Sequence, residues 1–376
     1  MSALFSPLDL GPFALPNRIA IAPMCQYSAV DGCATDWHLQ QVMQYAMSGA
    51  GLVVLEASGV ERRGRITHGC LGIYSDANEV ALARVLAAAR GVAVPGTRFG
   101  IQLAHAGRKA STQRPWEGGG PLGAGEDSWP TVASSATPFT VGWHTPTAID
   151  ENGMAHIRLA FVSAAQRAVR LGFDAVELHS THGYLLDTFI SPLVNTRTDQ
   201  YGGSFENRVR FPLSVARAVK VALPAHVVLG ARITGTDWTD NKGWTPDEAA
   251  LYAAELKALG AGYVSVSTGG IVPNLPIPSG LGYQVPPAAH VKAKSGVATA
   301  TSGHIVDAAQ AEELIASGKI DFVMLARAIL DNPRWPWHAA DRLGAKINYP
   351  PQFARIAPSL WKAATAARPL DFPAKP

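Results

Sequence analysis

Cysteine is scarce: Cys25, Cys33 and Cys70 are the three in 376 residues. They form no CxxC pair and are odd in number, so a disulfide framework is not expected and a reducing compartment, the cytoplasm, is. Charge is scarce as well. Charged residues make up 16% of the chain and the formal net charge is +3. Without a Lys/Arg-rich run, nucleic acid is not an expected partner. No stretch approaches the ~18 apolar residues of a membrane helix, so no membrane is expected either. The start, Met1 to Leu15, has no basic region and contains two prolines, so it does not read as a secretory signal.

Apolar material, by contrast, is plentiful at 47% of residues. Eight short apolar runs recur: Arg18–Met24, Gly51–Ser58, Phe99–Ala104, Ala175–Ser180, Val227–Ile233, Tyr263–Thr268, Val297–Ser302 and Phe322–Arg327. They are continuous rather than alternating, the pattern of parallel strands buried on both faces. Amphipathic stretches separate them: His38–Ser48, Asn78–Ala93, Met154–Leu171, Phe205–Leu223, Pro246–Leu259, Ala288–Lys294, Val306–Ala316 and a looser one after Asp331. Thr245-Pro246-Asp247-Glu248 carries a helix start signal, with a capping Thr, Pro at the first helical position and acids in the first turn. This alternation predicts an α/β fold, a (β/α)8 TIM barrel over residues 1–376 as one domain. Phe5–Leu15 is expected as a hairpin across the barrel floor. His105–Asn152, rich in Gly, Pro, Ser and Thr, is expected as a long functional excursion after the third strand.

Gly118-Gly119-Gly120-Pro121-Leu122-Gly123 satisfies the G-x-G-x-x-G dinucleotide pattern. No apolar run precedes it, a proline interrupts it and no βαβ unit follows, so the Rossmann reading fails.

The chemistry-bearing residues sit at the ends of the apolar runs, where barrel active sites are built. The fourth run leads into His179-Ser180-Thr181-His182-Gly183-Tyr184. Two imidazoles can donate hydrogen bonds to a substrate oxygen, and a phenol can deliver a proton to carbon. The same residues could serve structure alone, with a His capping a loop and Tyr184 in the core. HxxH could also supply two zinc ligands, but no third is evident. The first run ends in Pro23-Met24-Cys25-Gln26-Tyr27, where Cys25 could be a nucleophile, a redox tuner or a buried hydrophobe. In the third, Gln102 would be buried at the strand end and need partners, which a flat heterocycle such as a flavin would provide. In the fifth, Arg232 could hold a negative ring edge or pair with a carboxylate. The seventh and eighth end in Thr301-Ser302-Gly303-His304 and Ala326-Arg327, the usual barrel phosphate site, with Arg327 suited to a phosphate group.

Four segments together resemble the Old Yellow Enzyme family, and within it the thermophilic-like class that includes the xenobiotic reductases. They are Ala22-Pro23-Met24-Cys25-Gln26-Tyr27, Gln102 through Lys109, His179 through Tyr184, and Arg197-Thr198-Asp199-Gln200-Tyr201-Gly202-Gly203-Ser204-Phe205-Glu206-Asn207-Arg208. The resemblance implies an FMN-dependent NAD(P)H dehydrogenase that reduces activated alkenes. It implies that Ala22, Pro23, Met24, Cys25, Ala57, Gln102, Arg232, Ser302, Gly303, Ala326 and Arg327 hold FMN. His179 and His182 would bind the substrate's carbonyl or nitro oxygen with help from Tyr27, and Tyr184 would donate the proton. Cys25 would tune the flavin, and Lys109 would lie near the flavin or the nicotinamide entry. In this class the chain end can cross into a neighbouring subunit's site. Tyr349 to Arg355 resembles that segment, which implies a homodimer or homotetramer with the 345–376 segment at the contact and Arg355 reaching the neighbouring site. The cysteine cluster and extra domain of the 2,4-dienoyl-CoA reductase relatives are missing here. Ser302 stands where some xenobiotic reductases have Trp. A flavin-free barrel lyase or isomerase using the phosphate site is the alternative.

Overall fold

In the computed structural model, which describes residues 2–240 and 242–368, the apolar runs form eight parallel strands. These are β1 Ile19–Ile21, β2 Leu52–Gly59, β3 Arg98–Ala104, β4 Ala175–Ser180, β5 Val228–Thr234, β6 Tyr263–Ser267, β7 Ala298–Thr301 and β8 Phe322–Leu325. Each pairs with the next, and β8 returns to β1 through Val323↔Ile19, closing the barrel. The fold is the expected (β/α)8 TIM barrel.

Alternation along each strand divides the side chains between two cores. Ile19 and Ile21 face outward to the helices, whereas Ala20 faces inward. The inner core also takes Leu52, Val54, Ala175, Val228, Ala300, Phe322 and Met324, and the N-terminal Leu8, Leu10, Phe13 and Leu15 plug its floor. That plug is the expected hairpin, with Leu8–Asp9 antiparallel to Ala14–Leu15. Higher on the same inward faces the residues turn polar: Gln102 on β3, Glu177 and His179 on β4, Arg232 on β5. The functional groups therefore cluster at the C-terminal mouth.

Helix starts follow their caps. Asp76–Val92 begins where Ser75 accepts from the Asn78 N–H, and Glu151–Leu171 where Asp150 accepts from the Gly153 N–H. Both begin before the expected stretches, which start at Asn78 and Met154. The reciprocal cap at Thr245 and Glu248 forms as expected. β1 stops short of its apolar run: Ala22 still donates to the Leu325 carbonyl, and the chain beyond it turns across the mouth. Leu185–Ile190 forms an extra helix that the sequence pattern did not reveal. All six of its residues are buried, so no amphipathic period marks it. In the long excursion the glycine triplet follows a 3-10 turn, Pro115–Glu117, rather than a barrel strand. Among the described residues no helix is long and apolar enough to cross a membrane.

Candidate active site

β4 delivers His179 from its inward face, and the chain then reverses. His182 and Gly183 both take left-handed backbone angles, φ 62° and 75°. A side chain at Gly183 would put its Cβ 2.2 Å from the Gly270 carbonyl oxygen, so the loops after β4 and β6 meet backbone to backbone. This reversal gathers three rings. The His179 and His182 centroids lie 5.2 Å apart, and Tyr184 stands nearly perpendicular to His179 at 4.8 Å. His179 is buried, with its Nδ1 lacking a hydrogen-bond partner, and His182 Nε2 lies 2.8 Å from Ser267 Oγ. Enclosure, with the charges of Arg232 and Lys109, holds both imidazoles well below the usual histidine range, so both are neutral. Enclosure likewise keeps the Tyr184 phenol protonated.

Two adjacent cations brace this cluster. Lys109 Nζ donates to the carbonyls of His182 and Gly270 and sits 5.3 Å from the Tyr184 ring centre. Arg108 donates to the carbonyls of Thr137, Pro138 and Ile271, tying in the long excursion. Burial and the neighbouring Arg108 push Lys109 down to about 8.

Beyond β1 the chain carries Cys25 and Tyr27 past the mouth. Gln26 N–H donates to the buried Glu56 at 3.0 Å, and Tyr27 has φ 51° with its ring edge-on to Trp116. Burial raises the Cys25 thiol well above its ordinary range, so it is a protonated thiol. Ala22, Pro23 and Ala57 are buried beside it, and Met24 is half-buried.

On the opposite side a cavity of about 210 Å³ opens between the ends of β5 to β8, lined by His182, Arg232, Ser302, Gly303, Ala326 and Arg327 among others. Arg232 is buried, its Nε has no partner, and its Nη2 lies 3.5 Å from Ser302 Oγ. Arg327 is exposed and its Nη2 is 2.5 Å from His304 Nε2. A buried guanidinium with an unpartnered Nε and one long bond fits a ligand with acceptor atoms, and the exposed Arg327 fits a phosphate. FMN has both.

Gln102 differs from expectation in one respect. Its buried amide already has a protein partner, donating from Nε2 to Glu177 Oε1 at 2.7 Å. The sequence reading passed over Glu177, although it lies two positions before His179 and so on the same strand face. His304, from the expected phosphate segment, also lines the cavity, as do Tyr283 and Gln284, which no sequence signal marked because their loop carries no periodicity. Arg355 lies on an exposed 3-10 turn, Pro351–Ile356, and makes no hydrogen bond or ion pair among the described residues. The segment expected at a subunit contact is described only as far as residue 368; residues 369–376 lie outside the described chain. Among the described residues no three His, Cys, Asp or Glu side chains are grouped to hold a metal.

Residues 3–345 match the NADH:flavin oxidoreductase / NADH oxidase family. An NADPH dehydrogenase of Listeria monocytogenes is 37% identical over 364 residues, covering 96% of this chain and 100% of that protein. One from a Geobacillus species is 38% identical over 354 residues, 94% of this chain and 98% of its own. Among solved structures, morphinone reductase superposes with a TM-score of 0.75 at 30% identity, covering 93% of this chain and 92% of that one. Morphinone reductase in complex with tetrahydroNAD superposes with a TM-score of 0.73. A barrel mouth with buried donors and a phosphate corner thus coincides with full-length similarity to flavin reductases: the chain belongs to the NADH:flavin oxidoreductase family, the Old Yellow Enzyme-like group, as an FMN-dependent oxidoreductase that uses NADH or NADPH.

Proposed function

We propose that this enzyme reduces the activated C=C bond of an α,β-unsaturated carbonyl or nitro compound. The observation that carries the reading is the ring cluster at the end of β4: two neutral imidazoles and one protonated phenol, each within 6.4 Å of the others by ring centres. Bound FMN supplies hydride chemistry between the nicotinamide and the alkene. His179 and His182 donate ring N–H bonds to the substrate oxygen and draw electron density from the double bond. Their neutrality keeps them strong but non-titrating donors where negative charge develops. Tyr184 gives its hydroxyl proton to the α carbon. Tyr27 assists at the oxygen. Cys25, held as a thiol, would lie beside the bound cofactor and act as no nucleophile.

In the same reading Ala22, Pro23, Met24, Cys25 and Ala57 line one edge of FMN. Gln102 and Arg232 would face its ring, and Ser302, Gly303, Ala326 and Arg327 would hold its phosphate. The exposed Arg355, with exposed Leu360 and Trp361 following it, is free to enter a second copy's site in a homodimer or homotetramer.

The test is the visible spectrum of the purified protein under anaerobic conditions. A flavin spectrum that bleaches with NADPH and returns with cyclohexenone supports the reading. A bleached flavin that cyclohexenone leaves unchanged overturns the alkene assignment. A protein that stays colourless after FMN is added overturns the flavin site itself.

A further inference from the structure

One layer beneath the mouth, the barrel interior holds a carboxyl that packing alone does not require. Glu177 of β4 is fully buried. Its Oε1 accepts from Gln102 of β3 at 2.7 Å, and its Oε2 has no hydrogen-bond partner. Tyr263 of β6 faces it from across β5. That crossing has been cleared: a Cβ at Gly230 would lie 2.2 Å from Tyr263 Cζ, so β5 carries no side chain where the ring passes. Arg232 stands one inward position above Gly230 on the same strand. Burial raises the Glu177 carboxyl, and Arg232 opposes that rise. Burial also weakens the Arg232 charge, and Glu177 is the first group that supports it. Yet no carboxylate lies within ion-pair distance of Arg232 among the described residues, and its nearest polar contact is Ser302 Oγ at 3.5 Å. The guanidinium is therefore influenced by Glu177 but remains available to a ligand.

A carboxyl accepts and does not donate when ionised, so it decides how the amide beside it is turned. By taking an N–H of Gln102, Glu177 turns the Nε2 end toward β4 and the carbonyl end away from it. In its ionised form, which the neighbouring Arg232 favours, its charge also offsets part of the positive field of that guanidinium.

We propose that Glu177 is a positioning residue for the flavin ring. It fixes the presentation of Gln102 and Arg232 and, through its charge, sets the reduction potential of the bound cofactor. This rests on the FMN seat proposed above. Two-electron reduction adds negative charge to the ring, so a carboxylate beneath the guanidinium disfavours the reduced form.

The experiment compares the parent protein with E177Q and E177D, measuring the FMN dissociation constant of the apoprotein by fluorescence quenching and the midpoint potential by spectroelectrochemistry. E177Q keeps an oxygen acceptor for Gln102 and removes the charge. Its FMN affinity should stay near the parent's while the reduced form gains about tenfold over the oxidised, a rise of about 30 mV for a two-electron couple. E177D keeps the charge but draws it out of reach of Gln102. Its potential should stay near the parent's while FMN affinity falls about tenfold. Parent-like potential and affinity in both variants overturn the proposal. If E177Q does not fold, E177D decides alone, and unchanged FMN affinity in it overturns the positioning role. A parent protein that binds no FMN overturns the proposed seat rather than the role of Glu177 within it.

Discussion

The ammonium of Lys109 lies 2.9 Å from the carbonyl oxygen of His182 and 3.1 Å from that of Gly270. One side chain from the 3-10 turn Gly107–Lys109 after β3 thus joins the loops after β4 and β6 at the point where their backbones touch. Lys109→Met keeps most of the stem and removes the donors. Two carbonyls then lose their partner, and stability should fall by about 1–3 kcal/mol. With His182 released, kcat/KM for the alkene should fall about tenfold or more. Urea unfolding and steady-state kinetics check both. A variant equal to the parent in both would show that the clamp has no role.

Tyr184 offers a sharper separation. Tyr184→Phe retains the ring that packs against His179 at 4.8 Å and removes only the hydroxyl. Alkene turnover should fall by about 10²–10⁴, the size of a general-acid contribution. Anaerobic bleaching by NADPH should keep the parent's rate, since no proton is delivered to carbon in that half-reaction. Stopped-flow measurement of the two half-reactions decides it, and equal alkene turnover removes the proton-donor role.

Gly183→Ala tests the backbone contact between the loops. The new methyl meets the Gly270 carbonyl at 2.2 Å and the residue must hold φ 75°. Backbone cannot rotate aside as a side chain can, so the loops must separate. A stability loss of about 1–3 kcal/mol is expected, together with reduced alkene turnover as His182 and Tyr184 move. Thermal unfolding that matches the parent would contradict the contact.

Beneath the same loop lies a pair of buried carboxyls. Asp187 accepts from the Gly183 N–H at 2.7 Å and from Thr234 at 2.8 Å, while Asp237 accepts from Ser191 at 2.6 Å. Burial and the charge of Asp237 raise Asp187 above the ordinary carboxylate range, and burial raises Asp237. The unfolded chain releases these protons first, near the ordinary value of about 4. Between that pH and the raised folded values the native state binds more protons, so this pair's contribution to stability falls as pH rises. Asp187→Asn should remove much of that slope. Urea midpoints for parent and variant from pH 4.5 to 8 give the difference curve, and a difference that does not change with pH would contradict the shift.

The barrel was readable because its signals are local. Continuous apolar runs mark strands buried on both faces, and Thr245-Pro246 marks a helix start wherever the helix ends up. The His179, His182 and Tyr184 cluster was readable for the same reason: its members follow one strand end within six positions, so their convergence needs only one loop. The helix Leu185–Ile190 was not readable, because burial on every side erases its period.

The sequence by itself determined the barrel, the direction of its mouth and the imidazole–phenol cluster, since each depends on residues near one another along the chain. Only the tertiary structure decided that Lys109 binds the His182 carbonyl, that Glu177 takes the Gln102 amide, and that Tyr263 crosses β5 at Gly230. These partners come from different strands, and barrel closure with its particular register is what brings them within contact distance.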